Sequence, residues 1–161
     1  MALLDAKEYD PRPAQRRWRL IGAVAAVAVA ALVFWWFFRY WPEERVVNRF
    51  FEALERKDFD AAYGIYNADP DWKQHAAKYD QYPLPQFMLD WGPSSEYGAI
   101  TSHRIDCAKE PDKKDFQSPS GVIVTVIVNG RSQGTSLWVE KKTKTLTLSP
   151  FELQCHPPGQ G

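Results

Sequence analysis

The chain has 161 residues, with 20 Lys and Arg balancing 20 Asp and Glu, so its formal charge is zero. That balance gives no electrostatic argument for nucleic-acid binding, which usually demands a basic surface, and the length leaves room for one domain with additions. The mean hydropathy is polar at −0.44, which makes the one intensely apolar stretch near the N-terminus stand out.

Residues 1–19, MALLDAKEYDPRPAQRRWR, are charged and interrupted by Pro11 and Pro13. This segment is too short and too polar to form a core and reads as a mostly disordered tail, with a docking peptide as the alternative. From Leu20 to Phe38 the chain runs LIGAVAAVAVAALVFWWFF, 19 residues without a charge. About 20 such residues cross the hydrocarbon core of a bilayer as a helix, so a transmembrane helix is predicted over 20–41. A cleavable signal peptide has a shorter apolar region ending in small residues. Here the small residues give way to bulky aromatics, which predicts an uncleaved signal anchor.

Phe34, Trp35, Trp36, Phe37, Phe38, Tyr40 and Trp41 follow almost without interruption. At about 100° per residue they point all around the helix axis, unlike a one-sided binding stripe. An all-round cuff suits the membrane–water interface. Trp18, Trp35, Trp36, Tyr40 and Trp41 are therefore predicted interfacial residues, with Trp18 at the opposite boundary. Arg16, Arg17 and Arg19 crowd the N-terminal boundary, whereas Arg39 on the far side is followed by Glu43 and Glu44. The positive-inside rule then predicts residues 1–19 on the cytoplasmic side of a bacterial inner membrane and residues 42–156 in the periplasm or outside the cell.

Pro42 with Glu43–Glu44 suits a helix start. In the following EERVVNRFFEALERKDF, Val46, Val47, Phe50, Phe51 and Leu54 keep the spacing of an amphipathic helix. Ala61, Ala62, Ile65 and Tyr66 predict a second helix. Asp69-Pro70-Asp71 signals the start of a third, DWKQHAAKYD. PQFMLDW has room for one or two further helical turns, and GPSSEYG reads as a loop. After Gly98 the apolar period changes to two. Ala99, Thr101, His103, Ile105 and Cys107 alternate with Ile100, Ser102, Arg104 and Asp106, and residues 108–119 form a charged loop. GVIVTVIVNG is apolar on both faces and predicts a central strand, with NGRSQG as its turn. TSLWVEK sets Leu137 and Val139 against Trp138 on the other face. Leu146 and Leu148 start a last strand whose parity shifts after Pro150, which predicts a bulge. Residues 157–161 form a flexible tail. The expected fold class is α+β: one transmembrane helix, then about three helices packed on a curved four-stranded antiparallel sheet.

The segment VVNRFFEALERKDFDAAYGIY resembles the opening of nuclear-transport-factor-2-like domains, through Phe50, Ala53, Leu54, Asp58, Phe59, Ala61, Ala62 and Ile65. The pattern resemblance extends over residues 44–155. It implies a curled sheet around helices enclosing a conical cavity, in a superfamily of isomerases, dehydratases, binding modules and dimeric scaffolds. A short tail, one spanning helix and an external domain of this fold are similar in layout to subunits of bacterial envelope machines, such as the type IV secretion inner-membrane subunit.

Cys107 and Cys155 are the only cysteines and are predicted to pair in an oxidising compartment, two buried thiols being the alternative. His103, Cys107, Cys155 and His156 match no metal-binding spacing, and neither metal nor cofactor is expected. If the cone holds an active site, the resemblance points to His103, Asp90 and Tyr97 as acid–base or hydrogen-bonding groups. No Ser-His-Asp order, paired carboxylate or phosphate loop supports catalysis. Trp138 is the candidate partner surface. The leading reading is a non-enzymatic assembly or scaffold subunit of an envelope complex. It would be held by the lipid bilayer and associate with a membrane-protein partner or a second copy. A small-ligand-binding or isomerase/dehydratase-like domain around His103 and Asp90 is the alternative.

Overall fold

The computed structural model describes residues 12–111, 120–150 and 155. The chain divides into two compact units at Arg39–Tyr40. The first contains α1, Arg12–Phe38, 27 residues long and so about 40 Å from end to end. An 18-residue stretch there averages a hydropathy of 2.4 and none of it is buried, so the helix is long and apolar enough to cross a membrane. It closes at Phe38, short of the expected Trp41. Pro42 lacks the N–H that would continue the ladder, and the amides of Glu43 and Glu44 turn instead to the Tyr40 carbonyl, at 3.1 and 3.0 Å. That exchange opens a new helix.

The second unit is α+β. Helix α2, Trp41–Glu55, buries Val46, Val47, Phe50, Phe51, Ala53 and Leu54 along one face, as its spacing demands. Helix α3, Phe59–Tyr66, is capped by Asp58, whose carboxylate accepts from the Ala61 amide at 3.0 Å. The expected third helix is a 3₁₀ segment, Trp72–Tyr79, kinked at His75. It buries no residue fully, and only Trp72 and Tyr79 at its two ends pack on the core, so no continuous apolar face favours a regular α-helix. The Asp69 carboxylate gathers it instead, accepting from the Asp71 amide at 3.1 Å and the Tyr79 hydroxyl at 2.7 Å, with His75 Nδ1 at 3.0 Å. Helix α4, Leu84–Trp91, begins with Pro85 in its first turn and buries Phe87 and Trp91.

Strands β1 (His103–Lys109), β2 (Gly121–Val128), β3 (Thr135–Glu140) and β4 (Leu146–Leu148) form an antiparallel meander in the order β1-β2-β3-β4. Helix α2 lies against β1, β2 and β3, and α3 lies against β4. Val122, Val124, Val126 and Val128 face the helices together with Leu137, Val139 and Leu146. On the outer face of β2, Ile123 and Thr125 are buried as well, in keeping with its apolar pattern on both sides.

Two features depart from simple strand alternation. Residues Gly98–Ser102 lie outside β1. Their polar groups bond the side chain of Asn129, which sits in the β2–β3 turn at φ +52°. Its Oδ1 accepts from the Thr101 amide at 2.8 Å, the Thr101 hydroxyl at 3.1 Å and the Ser102 amide at 3.3 Å. Its Nδ2 donates to the carbonyls of Tyr97 and Ala99, at 3.2 and 3.0 Å. Further along, the register slips between Ile105 and Cys107. His103 and Ile105 pair with Val128 and Val126 on the helix side, but Cys107 pairs with Thr125 on the outer side. The expectation that His103 and Cys107 share a face is therefore corrected by a bulge at Asp106. The expected bulge after Pro150 and the tail 157–161 lie outside the described residues.

Asn129→Gly tests the role of this side chain cleanly, because glycine accepts the positive φ and only the side-chain bonds are lost. We expect a loss of about 2 kcal/mol, measured as the urea midpoint of the detergent-solubilised chain by near-UV circular dichroism. An unchanged midpoint would show that Asn129 serves only the turn.

Candidate functional site

The expected cone interior is filled. Phe50, Phe51, Phe87, Trp91 and Tyr63 are fully buried between helices and sheet. Their rings meet mostly edge to face, with centroids 5.1–6.1 Å apart, a geometry that the ring quadrupoles favour. His103 faces this side, as expected, but stacks on Phe51 at 5.3 Å. Its Nδ1 lies 2.7 Å from a Glu55 carboxylate oxygen and its Nε2 lies 3.1 Å from the Asn48 side-chain oxygen. Both ring nitrogens are thus engaged with α2. The histidine braces β1 against that helix rather than facing a cavity.

Asp90 belongs to a separate group at the α3–α4 end. It accepts the Tyr82 hydroxyl at 2.7 Å and the Gln86 amide at 3.4 Å. Tyr66 packs on Tyr82 at 5.5 Å, and its oxygen accepts from the Leu148 backbone amide, which ties α3 to β4. Burial pushes the Tyr66 hydroxyl up to about 12, helped by the nearby Asp90 charge and Tyr63. Burial raises Tyr82 further, and its hydrogen bond to the Asp90 carboxylate adds to the rise. The Trp91 indole N–H is buried without a well-formed hydrogen bond, although it still opposes part of the Tyr82 rise. Asp90 is therefore occupied in holding Tyr82, and the structure does not bring it into one site with His103.

Tyr97, the third candidate, stacks on Trp91 at 5.5 Å and lines an open cleft of about 700 Å³. Burial raises its hydroxyl, while a hydrogen bond with Thr135 offsets part of the rise. Arg131 lies over the Tyr97 ring at 5.3 Å and donates to the Glu96 carbonyl. Ser136, Leu148 and Ser149 complete the wall beside Thr135. Hydroxyls, one guanidinium, one phenol, the Glu96 carboxylate and the Gln133 amide make a polar binding surface. Among the described residues the cleft lining contains no histidine and no cysteine. Arg131 escaped sequence reasoning because it sits in a turn recognised only by its glycines.

Cys107 and Cys155 are joined by a disulfide with Cα atoms 5.7 Å apart and a sequence separation of 48. In the chain-entropy model, closing such a loop contributes about 4 kcal/mol. Trp138 stands on the outer sheet face, opposite Ile123 and Thr147. It is half-buried, and its indole fills the space where a side chain on Gly121 would begin, at 2.3 Å. Trp18 is 73% exposed, and Trp35, Trp36 and Trp41 are exposed too. Tyr40 differs from them, being half-buried against the domain core. Arg39 lies over the Trp36 ring at 5.0 Å, and Arg45 over Trp41 at 5.1 Å. His156 lies outside the described residues.

Comparison of the chain with protein-family models, curated proteins and solved structures finds no match.

The Tyr66–Tyr82–Asp90 group has a pH signature. Both hydroxyls ionise later in the folded chain than in the unfolded one, where a tyrosine releases its proton near pH 10. Their contribution to stability is complete below pH 10 and is lost as pH rises towards 12 and beyond. Difference absorbance at 295 nm should show these tyrosines titrating last, and Tyr82→Phe should remove one late step. Simultaneous titration of all seven tyrosines in the folded chain would refute the assignment.

Proposed function

We propose that this chain is a single-pass membrane-anchored assembly subunit of a bacterial envelope complex. Residues 1–19 stay in the cytoplasm, and the α+β unit works in the periplasm or outside the cell. The observation that carries this reading is the wholly uncovered apolar stretch of α1, with a hydropathy of 2.4. Only lipid or another apolar surface accommodates such a helix. Its aromatic end and the arginines ahead of its apolar stretch support an uncleaved anchor with the N-terminus inside.

A non-enzymatic role draws support from the aromatic filling between helices and sheet and from the engagement of His103 and Asp90 in structural bonds. Helices gathered against an antiparallel meander agree with a nuclear-transport-factor-2-like domain of the scaffold kind, and we retain that kinship as part of the proposal. The partner surface is assigned to the outer sheet face carrying Trp138. The alternative of a ligand-binding domain keeps one supporting observation, the open cleft beside Tyr97 and Arg131. That places a ligand away from His103.

Two measurements test the proposal. Wild-type chain should stay in the membrane pellet after alkaline carbonate washing. The double variant Val27→Arg/Val29→Arg should be released, since each arginine at a helix centre costs about 3 kcal/mol on insertion. Release of the wild type would remove the anchor. In mild detergent the wild type should purify as a stable oligomer or with a second membrane protein. A partner-free monomer by light scattering and mass spectrometry would overturn the assembly role.

A further inference from the structure

A second cleft lies between α2 and α3, lined in addition by the β3–β4 turn. It measures about 460 Å³, within the roughly 300–1,000 Å³ of small-ligand sites. Val46, Ala61, Ile65 and Pro70 give it an apolar floor, and Arg49 and Lys144 stand at its rim. The rim charges are unevenly matched. Lys144 is bonded to the buried carboxylate of Glu43. Asp60 is paired with Lys73 at 2.6 Å. Arg49 is exposed and meets no hydrogen-bonding or ionic partner among the described residues. One cation is left over beside an apolar trough.

An occupant that answers both features has an apolar chain and a single anionic head. The position of the cleft along α2 narrows the choice. Val46 is five residues and Arg49 eight residues beyond Trp41, so they lie no more than about 8 and 12 Å along the helix from it. Trp41 itself follows the end of α1 by three residues. Exposed, and covered by Arg45 at 5.1 Å, it continues the aromatic and basic character of a headgroup layer.

We infer that this cleft holds one anionic phospholipid, its acyl chain over Val46, Ala61 and Ile65 and its phosphate at Arg49. The inference rests on the membrane-anchor reading above. The lipid would come from the leaflet beside the α+β unit and would fasten that unit to the bilayer surface.

The test reconstitutes the full chain into phosphatidylcholine nanodiscs. These are doped with a phosphatidylglycerol whose acyl chain carries a photoactivatable diazirine. After illumination, adducts are mapped by peptide mass spectrometry. Adducts are expected within residues 17–38, which face the bilayer, and as a second cluster on α3 within residues 59–66. The α3 cluster should fall about fivefold in Arg49→Glu, the upper end for an exposed charge pair. It should fall comparably in Ala61→Trp, which fills the trough, and when the diazirine chain is carried by phosphatidylcholine. Arg49 is exposed, so its variant decides the matter even if Ala61→Trp folds poorly. Adducts confined to residues 17–38, or an α3 cluster indifferent to Arg49 and to lipid charge, would overturn the lipid site and leave the anchor standing. A chain that does not enter the discs would overturn both.

Discussion

The edge-to-face contact of Phe50 with Trp91, 5.1 Å between ring centroids, joins α2 to α4 at the centre of the α+β unit. Consecutive residues on a helix diverge by about 100°, so Phe50 and Phe51 sweep a wide arc from neighbouring positions. Phe50 also reaches Tyr66 and Phe87, while Phe51 reaches Trp91 and His103. Two adjacent side chains thus connect α2 with α3, α4 and β1. Both are fully buried, and aromatic side chains of this size dominate core energetics. Helix placement over the sheet follows from where these two rings can be accommodated.

Filling the interior with rings has consequences for chemistry. A polar group in such a core must be satisfied locally, and His103 meets that demand with Glu55 and Asn48 on α2. Glu43 meets it through Lys144, a residue 101 positions away in sequence. The polar groups capable of meeting a ligand are displaced outward, to the Tyr97–Arg131 cleft and to the trough between α2 and α3. In both places a cation stands beside apolar or aromatic surface, a combination suited to binding.

The legible parts of this architecture are those specified by local periodicity. The three-to-four spacing of Val46, Val47, Phe50, Phe51 and Leu54 gave the buried face of α2 directly. Pro42 marked its first turn, and the parity of Leu137, Trp138 and Val139 assigned the faces of β3. What stayed illegible depends on partners distant in sequence. Asn129 reads as a turn residue, and nothing near it announces that its side chain will bond Tyr97, Ala99, Thr101 and Ser102. Glu43 reads as a helix-start acid, because Lys144 lies at the other end of the unit. The segment Trp72–Tyr79 has helical composition, but only its two end residues, Trp72 and Tyr79, pack on the core, and the Asp69 carboxylate gathers the rest. Asp90 reads as a candidate acid–base group, yet its partner Tyr82 lies across a proline-broken connection that no periodicity bridges.

The bulge at Asp106 links strand geometry to the proposed compartment. Without it, strict alternation from His103 would turn Cys107 toward the helices, among Val126 and Val124. The slipped register sends it outward instead, opposite Thr125, where it meets Cys155. The bulge therefore decides which face of the sheet carries the covalent link. A disulfide of this kind persists where the surroundings are oxidising and is rare in the cytosol. The arginines in the first turns of α1 argue for the same side through an unrelated mechanism, the retention of positive charge in the cytoplasm. A local slip in one strand and a charge bias almost 90 residues earlier thus support one orientation, in which the α+β unit occupies the side of the membrane where its sheet can be covalently closed.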